Sequence, residues 1–181
     1  NLRKAKASYD KFNEVKSIGN AALGASDLTA AKDALEKAIE HEKTSQLAET
    51  WTYYALVNAD LALLDSTEAA EGYIQTAVEA REKAISLDTE KENEQNLAIL
   101  NSILAQHELN KGVKAWDSQD FASAYTAFDK GLNYLPGDTT LLYYSGLAAV
   151  NSQNFEGALE KYIELVPIDS FSNNKQVILD V

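Results

Sequence analysis

Cysteine and methionine are absent from this 181-residue chain, and only two histidines and two prolines occur. Without cysteine there is no disulfide, no thiolate nucleophile and no cysteine-ligated zinc. His107 and Glu108 begin like the zinc-binding motif H-E-x-x-H, but Lys111 occupies the position of the second histidine. The glycine-rich loops that bind phosphate and the G-x-S-x-G turn of hydrolases are also missing. We therefore predict no enzyme activity and no catalytic, cofactor-binding or metal-binding residues.

Basic residues are scarce, with 16 Lys and Arg against 28 Asp and Glu and a formal net charge of −12. A chain of this charge is repelled by nucleic-acid phosphates and by anionic lipid headgroups. No apolar run approaches the ~18 residues that a membrane-spanning helix requires. We predict neither a nucleic-acid partner nor insertion into a membrane.

Apolar residues recur at helical spacing along almost the whole chain, and no alternating strand pattern of useful length occurs. Leu28, Ala31, Leu35 and Ala38, for example, form one stripe of an amphipathic segment. The pattern predicts an all-α protein made of four antiparallel helical hairpins. The predicted helix pairs are 9–23 with 28–43, 47–65 with 68–87, 92–118 with 121–135, and 139–152 with 155–166.

Polar residues that can cap helices separate these segments. Asp27 is a predicted N-cap, and Thr89 with Glu92 forms a predicted capping box. Asp120 and Asn154 each stand immediately before a helix and can cap it in the same way.

Four residue pairs in the second half of the chain match in type and are each separated by 34 positions: Gly112 and Gly146, Phe121 and Phe155, Ala124 and Ala158, and Phe128 and Tyr162. A small residue on a first helix, followed by an aromatic, an alanine, an aromatic and a terminal proline on the second, resembles the tetratricopeptide repeat. We interpret the aromatic repeat as packing, because small residues let paired helices approach and aromatic rings fill the gap between units.

The first unit fits the same register, with Ile18 and Gly19 as its first-helix position. The steps from Ala38 to Ala84 and from Ala84 to Gly131 are 46 and 47 residues rather than 34, which predicts helices lengthened by up to three turns. The resemblance implies a right-handed α-solenoid of about four hairpins in a single domain, residues 1–181, with repeats at roughly 9–45, 47–89, 92–137 and 139–170. Similar irregular arrays occur in exported proteins of bacterial envelopes. We therefore expect an exported or periplasmic bacterial protein, and otherwise a cytoplasmic one.

The ends of the chain carry two further expectations. The sequence starts at Asn1 rather than at methionine, which is typical of a processed or trimmed chain. Val177, Ile178 and Val181 begin an apolar stripe with no partner segment after it, whereas a repeat array ordinarily closes with a polar outer face. We expect residues 171–181 to start a further helix and the native chain to continue beyond Val181.

In the family that the sequence resembles, the first helices line a concave groove that holds a peptide or a partner helix. The resemblance implies a non-catalytic protein- or peptide-binding scaffold. The groove positions carried over to this chain are Asn13, Lys16, Asn20, Glu49, Thr52, Tyr53, Leu56, Gln106, Leu109, Asn110, Val113, Thr140, Tyr143, Tyr144 and Leu147.

Lys16 and Asn20 resemble the opening pair of the carboxylate clamp of some family members. The asparagine that the clamp needs next falls at Tyr53, and its later basic residues fall at Gln106 and Asn110. We therefore interpret Lys16 as a solvated surface lysine rather than as part of a clamp.

Two adjacent tyrosine pairs, Tyr53 with Tyr54 and Tyr143 with Tyr144, allow two interpretations. Neighbouring helical positions point about 100° apart, so one ring of each pair can pack inside while the other faces a partner. The alternative is that both rings pack between repeats.

The binding scaffold also has an alternative at the level of function. The chain can be a structural or assembly module that self-associates or docks within a larger envelope protein, through the lengthened helices or through Val177–Val181. An accessory domain of an enzyme outside this chain is a third reading.

Overall fold

The computed structural model describes residues 1–168, and all regular structure in that range is helical, as predicted. The predicted further helix at 171–181, including Val177–Val181, lies outside the described residues. The helices are α1 (Leu2–Ser17), α2 (Ala25–Ile39), α3 (Ala48–Leu64), α4 (Ala69–Leu87), α5 (Glu94–Asp117), α6 (Phe121–Leu132), α7 (Thr139–Asn151) and α8 (Phe155–Leu165), with a short 3-10 turn at Ala21–Gly24.

The chain divides into two compact units, Asn1–Ile103 and Leu104–Val181, so that α5 contributes its first part to one unit and its second part to the other. In the first unit, α1, α2, α3 and α4 pack one against the next in chain order. The single-domain boundaries, the repeat limits and the solenoid arrangement stay predictions.

The core of the first unit follows the apolar stripes of the sequence. Leu28 and Leu35 of the predicted α2 stripe are fully buried, and Phe12 of α1 is buried against Gly24. A Cβ atom at Gly24 would lie 2.7 Å from a ring carbon of Phe12, so a side chain there would collide with the ring.

In the second unit, the residues separated by 34 positions occupy matching places. A Cβ atom at Gly112 would lie 2.8 Å from Cζ of Phe128, and one at Gly146 would lie 2.7 Å from Cζ of Tyr162. Both rings are buried, so each glycine allows an aromatic side chain of the following helix to press against its backbone. The close-approach role predicted for both glycines is therefore confirmed.

The turns before α6 and α8 repeat as well. Gln119 and Gln153 have φ angles of 61° and 62°, in the left-handed region that non-glycine residues seldom adopt. Asp120 and Asn154, the next residues, accept a hydrogen bond from the backbone N–H of the third helical residue, each at 3.1 Å. Both predicted N-caps are thus confirmed.

Two other predicted caps are wrong. The α2 helix begins at Ala25, so Asp27 lies in its first turn instead of capping it. Asp88, not Thr89, closes the turn before α5, because its carboxylate accepts hydrogen bonds from the backbone N–H groups of Glu92 and Asn93 at 3.1 and 3.0 Å.

The first hairpin also departs from the predicted boundaries. α1 starts seven residues earlier than position 9, since Ala5 continues the buried stripe of Tyr9 and Phe12 toward the N-terminus. It ends at Ser17 because Gly19 turns the chain with φ of 79° and has no atom near its would-be Cβ. Ile18 is 78% exposed. Ile18 and Gly19 therefore form a turn, not the predicted helix-packing position.

Candidate interaction surfaces

In the first unit, α1 and α3 meet around a buried carboxylate. Asp60 is 2% exposed and accepts hydrogen bonds from the Tyr9 hydroxyl at 2.7 Å and from the Lys16 ammonium at 2.6 Å. Burial, more than the negative charge of Asp60, raises the pKa of Tyr9 far above its ordinary value. Asn13 hydrogen-bonds to the same hydroxyl and opposes this rise. A buried carboxylate needs such partners, because an unpaired charge in the interior is costly.

Lys16 is half-buried, with 36% of its side chain exposed and its ammonium bound to the buried carboxylate of Asp60. The interpretation of Lys16 as a solvated surface lysine therefore holds only in part. Its ammonium group also lies 5.6 Å from the centroid of the Phe12 ring. Asn20 is exposed in the turn after α1 rather than on the helix beside Lys16. The pair that resembled a carboxylate clamp is therefore not assembled in the structure.

The other end of the α1–α3 contact is also held by an ion pair. Lys6 donates to the carboxylate of Glu49, and its ammonium lies 5.2 Å from the centroid of the Tyr53 ring. The hydrogen bond to Glu49 raises the pKa of Lys6 in spite of partial burial. Tyr53 is half-buried in an edge contact with Tyr9, 5.9 Å between centroids.

Two predicted groove residues of this unit are buried and therefore cannot belong to an exposed surface. Thr52 is fully buried and donates its hydroxyl to the carbonyl of Ala48 at 2.9 Å, and Leu56 is 1% exposed. What remains on this face is a set of paired charges that join two helices. These charged groups stabilise the contact between α1 and α3, and we assign them no role in binding a partner.

The second unit presents a different face, formed by α7 and by the part of α5 after Leu104. Gln106 and Asn110 are both exposed, and the Gln106 amide donates to Oδ1 of Asn110 at 2.8 Å. Val113 continues the same α5 stripe and is 45% exposed. On α7, Tyr144 is 41% exposed and Leu147, three residues further, is half-buried.

Phe128 of α6 contacts both α5 and α7. Its ring lies against Gly112 of α5, and its centroid is 5.8 Å from that of Tyr144. Tyr143 supports Tyr144 from the side, with centroids 5.6 Å apart, and packs against the buried cluster around Leu142. Of this tyrosine pair, one ring thus packs inward and the other is presented outward. Tyr53 and Tyr54 are instead both half-buried.

Leu109 is half-buried and Thr140 is exposed, so the predicted set in this unit is accessible in most of its members. Beneath it lies an ion pair that sequence reasoning missed, between the buried carboxylate of Glu108 and Lys130 at 2.5 Å. Glu108, the second residue of the broken zinc motif, therefore links α5 to α6.

Two open clefts of about 440 Å³ lie in the first unit. One runs between the start of α3 and the turn before α5 and is lined by acids that include Glu49, Asp88 and Glu92. Within residues 1–168, no group of three or more His, Asp or Glu side chains is placed to hold a metal ion. No helix in the same range is both long enough and apolar enough to cross a bilayer.

No protein-family model matches this chain, and no curated protein matches it significantly. The likeness to the tetratricopeptide repeat rests on the residues and the packing described above.

Proposed function

We propose that this chain is a non-catalytic binding module of the tetratricopeptide-repeat type, which holds a peptide or a helix of a partner protein on the α5–α7 face of its second unit. The repeat assignment is supported by the matched glycine–aromatic contacts and by the matched left-handed turns, both at an interval of 34 residues. In that family, the first helices of the hairpins form the binding face. Here α5 and α7 are those helices.

The observation that carries the proposal is Tyr144. A large ring that is 41% exposed and supported by Phe128 and Tyr143 is already ordered, so a partner that packs on it does not have to immobilise it. Tyrosine combines a wide apolar surface with a polar tip and is enriched in interface hot spots. Gln106 and Asn110 add amide donors and acceptors that can meet a partner backbone.

The predicted groove residues on this face are all uncharged: Gln106, Leu109, Asn110, Val113, Thr140, Tyr143, Tyr144 and Leu147. Recognition would then depend on apolar contact and on amide hydrogen bonds, and affinity should change little with salt concentration. A steep loss of affinity with rising salt would contradict the proposal.

Selection of peptides from a random displayed library against the full chain tests this assignment. Selected peptides should lose at least about tenfold in affinity when Tyr144→Ala is introduced, which corresponds to about 1.4 kcal/mol at an interface hot spot. Ile18→Ala removes an exposed apolar side chain outside both proposed binding surfaces and is the control. Equal binding to the parent and to both variants would place the binding face elsewhere.

A second candidate function, self-association, is favoured by the lengthened helices. α5 has 24 residues against 13 for α7, and α4 has 19 against 12 for α6. Near their junction, Ile85 is 47% exposed at the rim of a cleft of about 440 Å³ that also includes Leu97 and Ala98. Light scattering over a concentration series decides this point: a monomer throughout, or oligomers unchanged by Ile85→Ser, would dismiss this junction as the interface.

A further inference from the structure

The outer face of α8 carries a row of exposed apolar side chains. Phe155 is 66% exposed, Leu159 47% and Ile163 63%. They stand at positions i, i+4 and i+8, so they fall on one side of the helix. Val166, at the C-terminal cap, is 37% exposed and lies in the same sector. We call Phe155, Leu159 and Ile163 the α8 stripe.

The α8 stripe is separate from the face by which the helix packs into its own unit. Ala158, Tyr162 and Leu165 point into the core cluster and are buried. The α8 stripe lies next to these buried residues around the helix and faces solvent. Exposed apolar side chains are ordinary when scattered, but a continuous row on one helix marks an interaction surface.

A row of acids borders the stripe on its solvent side. Glu156, Glu160 and Glu164 each follow a stripe residue by one position and are all exposed. At about 100° per residue, they form a second row parallel to the first. On the opposite side the stripe is bounded by the buried residues of α8. Around the α8 helix, the buried face, the apolar stripe and the acidic row therefore follow one another in that order.

We propose that the α8 stripe docks an amphipathic helix of a partner protein whose apolar row is flanked on one side by lysine or arginine. Helices recognise one another through apolar residues at i, i+3, i+4 and i+7 spacing, and flanking charges choose the partner and its orientation. Three glutamates on this face, in a chain of net charge −12, select a basic helix by charge complementarity.

A second copy of the chain fits this face less well. If two copies paired antiparallel through the stripe, their glutamate rows would face each other, and like charges at close range oppose association. The segment 169–181 contains one basic residue, Lys175, against Asp169 and Asp180, so it does not offer a basic flank.

The proposal is tested with the full chain and a synthetic fluorescein-labelled peptide of about 18 residues, long enough for a stable helix when bound. The peptide has leucines at helical spacing, lysines along one flank and alanine elsewhere. A matched peptide carries glutamate in place of every lysine. Fluorescence anisotropy at low salt should show binding of the lysine peptide only, with affinity that decreases as salt is added.

Variants of the protein locate the binding. Replacing the three stripe residues by serine should weaken the lysine peptide by at least about tenfold, because its apolar contact is lost. Glu156→Gln/Glu164→Gln should weaken it by several-fold and reduce its salt dependence, and this pair leaves the contact between Glu160 and Lys161 in place. Ile18→Ser/Leu23→Ser removes exposed apolar side chains from the first unit and should change nothing. Circular dichroism confirms the fold of each variant, and the glutamine pair keeps the test valid if the triple serine variant does not fold.

Four results would overturn the proposal. The first is equal binding of the lysine and glutamate peptides, and the second is unchanged binding by both the serine and the glutamine variants. The third is a parent dimer that the serine variant abolishes while the lysine peptide fails to bind, which would assign the stripe to a second copy. The fourth is a rise in affinity with Val177→Ser/Ile178→Ser, which would assign the stripe to the chain's own C-terminal segment. None of these results bears on Tyr144 and the α5–α7 face.

Discussion

Replacement of Gly146 by alanine tests the helix packing that underlies the 34-residue repeat. The added Cβ atom would lie 2.7 Å from Cζ and 2.8 Å from Cδ1 of Tyr162. The Tyr162 ring is 2% exposed and belongs to the core cluster with Leu142 and Leu165, so it has little room to move. Either α7 or α8 must shift.

Two opposing effects set the magnitude. Forcing an extra methyl group into a packed core costs typically about 1–3 kcal/mol, while alanine in a helix interior is about 1 kcal/mol more favourable than glycine. We expect Gly146→Ala to lower the free energy of unfolding by up to about 2 kcal/mol. Gly72, in the first turns of α4, has no atom within 4 Å of its would-be Cβ, so Gly72→Ala should instead raise stability by about 0.5–1 kcal/mol.

Urea denaturation followed by circular dichroism measures both changes. A double variant, Gly146→Ala/Tyr162→Leu, should be less unstable than the sum of its single changes by about 1–2 kcal/mol, because the shorter side chain makes room for the methyl group. If Gly146→Ala stabilises the protein as Gly72→Ala does, the close contact between α7 and α8 is wrong, and with it the packing explanation of the repeat.

Three further predictions concern strain, the buried carboxylate and pH. Gln119→Gly and Gln153→Gly should each raise stability by about 0.5–1 kcal/mol in urea denaturation, because glycine adopts their left-handed φ without strain; a loss would refute the turn geometry. Asp60→Ala should lower the free energy of unfolding by about 2–4 kcal/mol, since it removes the acceptor of a buried hydroxyl and of the half-buried Lys16 ammonium. Glu36→Ala breaks a half-buried i,i+4 pair with Lys32 and should cost less than about 1 kcal/mol. Folding raises the pKa of Tyr9 above its ordinary 10.0, so its contribution to stability is complete below that pH and is lost as the pH rises beyond it, when only the unfolded state releases the proton. Denaturation at alkaline pH should show this decline in the parent and a shallower one in Tyr9→Phe; identical slopes would contradict the buried environment of Tyr9.

Much of the second unit could be predicted from sequence because its signals are local. Asp120 and Asn154 cap the helices that follow them, and the predicted helix limits there lie within three residues of the observed ones. The matching glycine and aromatic positions predicted the helix packing as well, since only a residue without Cβ lets an aromatic ring lie so close to the backbone.

The helix boundaries of the first unit could be predicted less well, and the reason is again local. Arg3, Lys4 and Lys6 make the start of α1 look like a polar tail, although lysine and arginine favour helices and Ala5 is already buried. Gly19 matches the repeat register, which predicts a packing residue, but its positive φ makes it a turn.

The network around Asp60 escaped sequence reasoning because its partners are distant along the chain. Lys16 and Tyr9 are 44 and 51 residues away, and no periodic pattern encodes such pairings. A signal was nonetheless present: Asp60 is the only charged residue in the run "ALVNADLALL", and a lone acid in a buried helix implies partners.

Nuclear magnetic resonance of the isotope-labelled chain, titrated with a peptide selected from the displayed library, tests the central claim most directly. We predict that the largest chemical-shift changes fall on Gln106, Asn110, Tyr144 and Leu147, and that they persist at high salt. Shifts confined to Phe155, Leu159 and Ile163, or to the α1–α3 contact around Asp60, would contradict the assignment of the α5–α7 face as the peptide-binding surface.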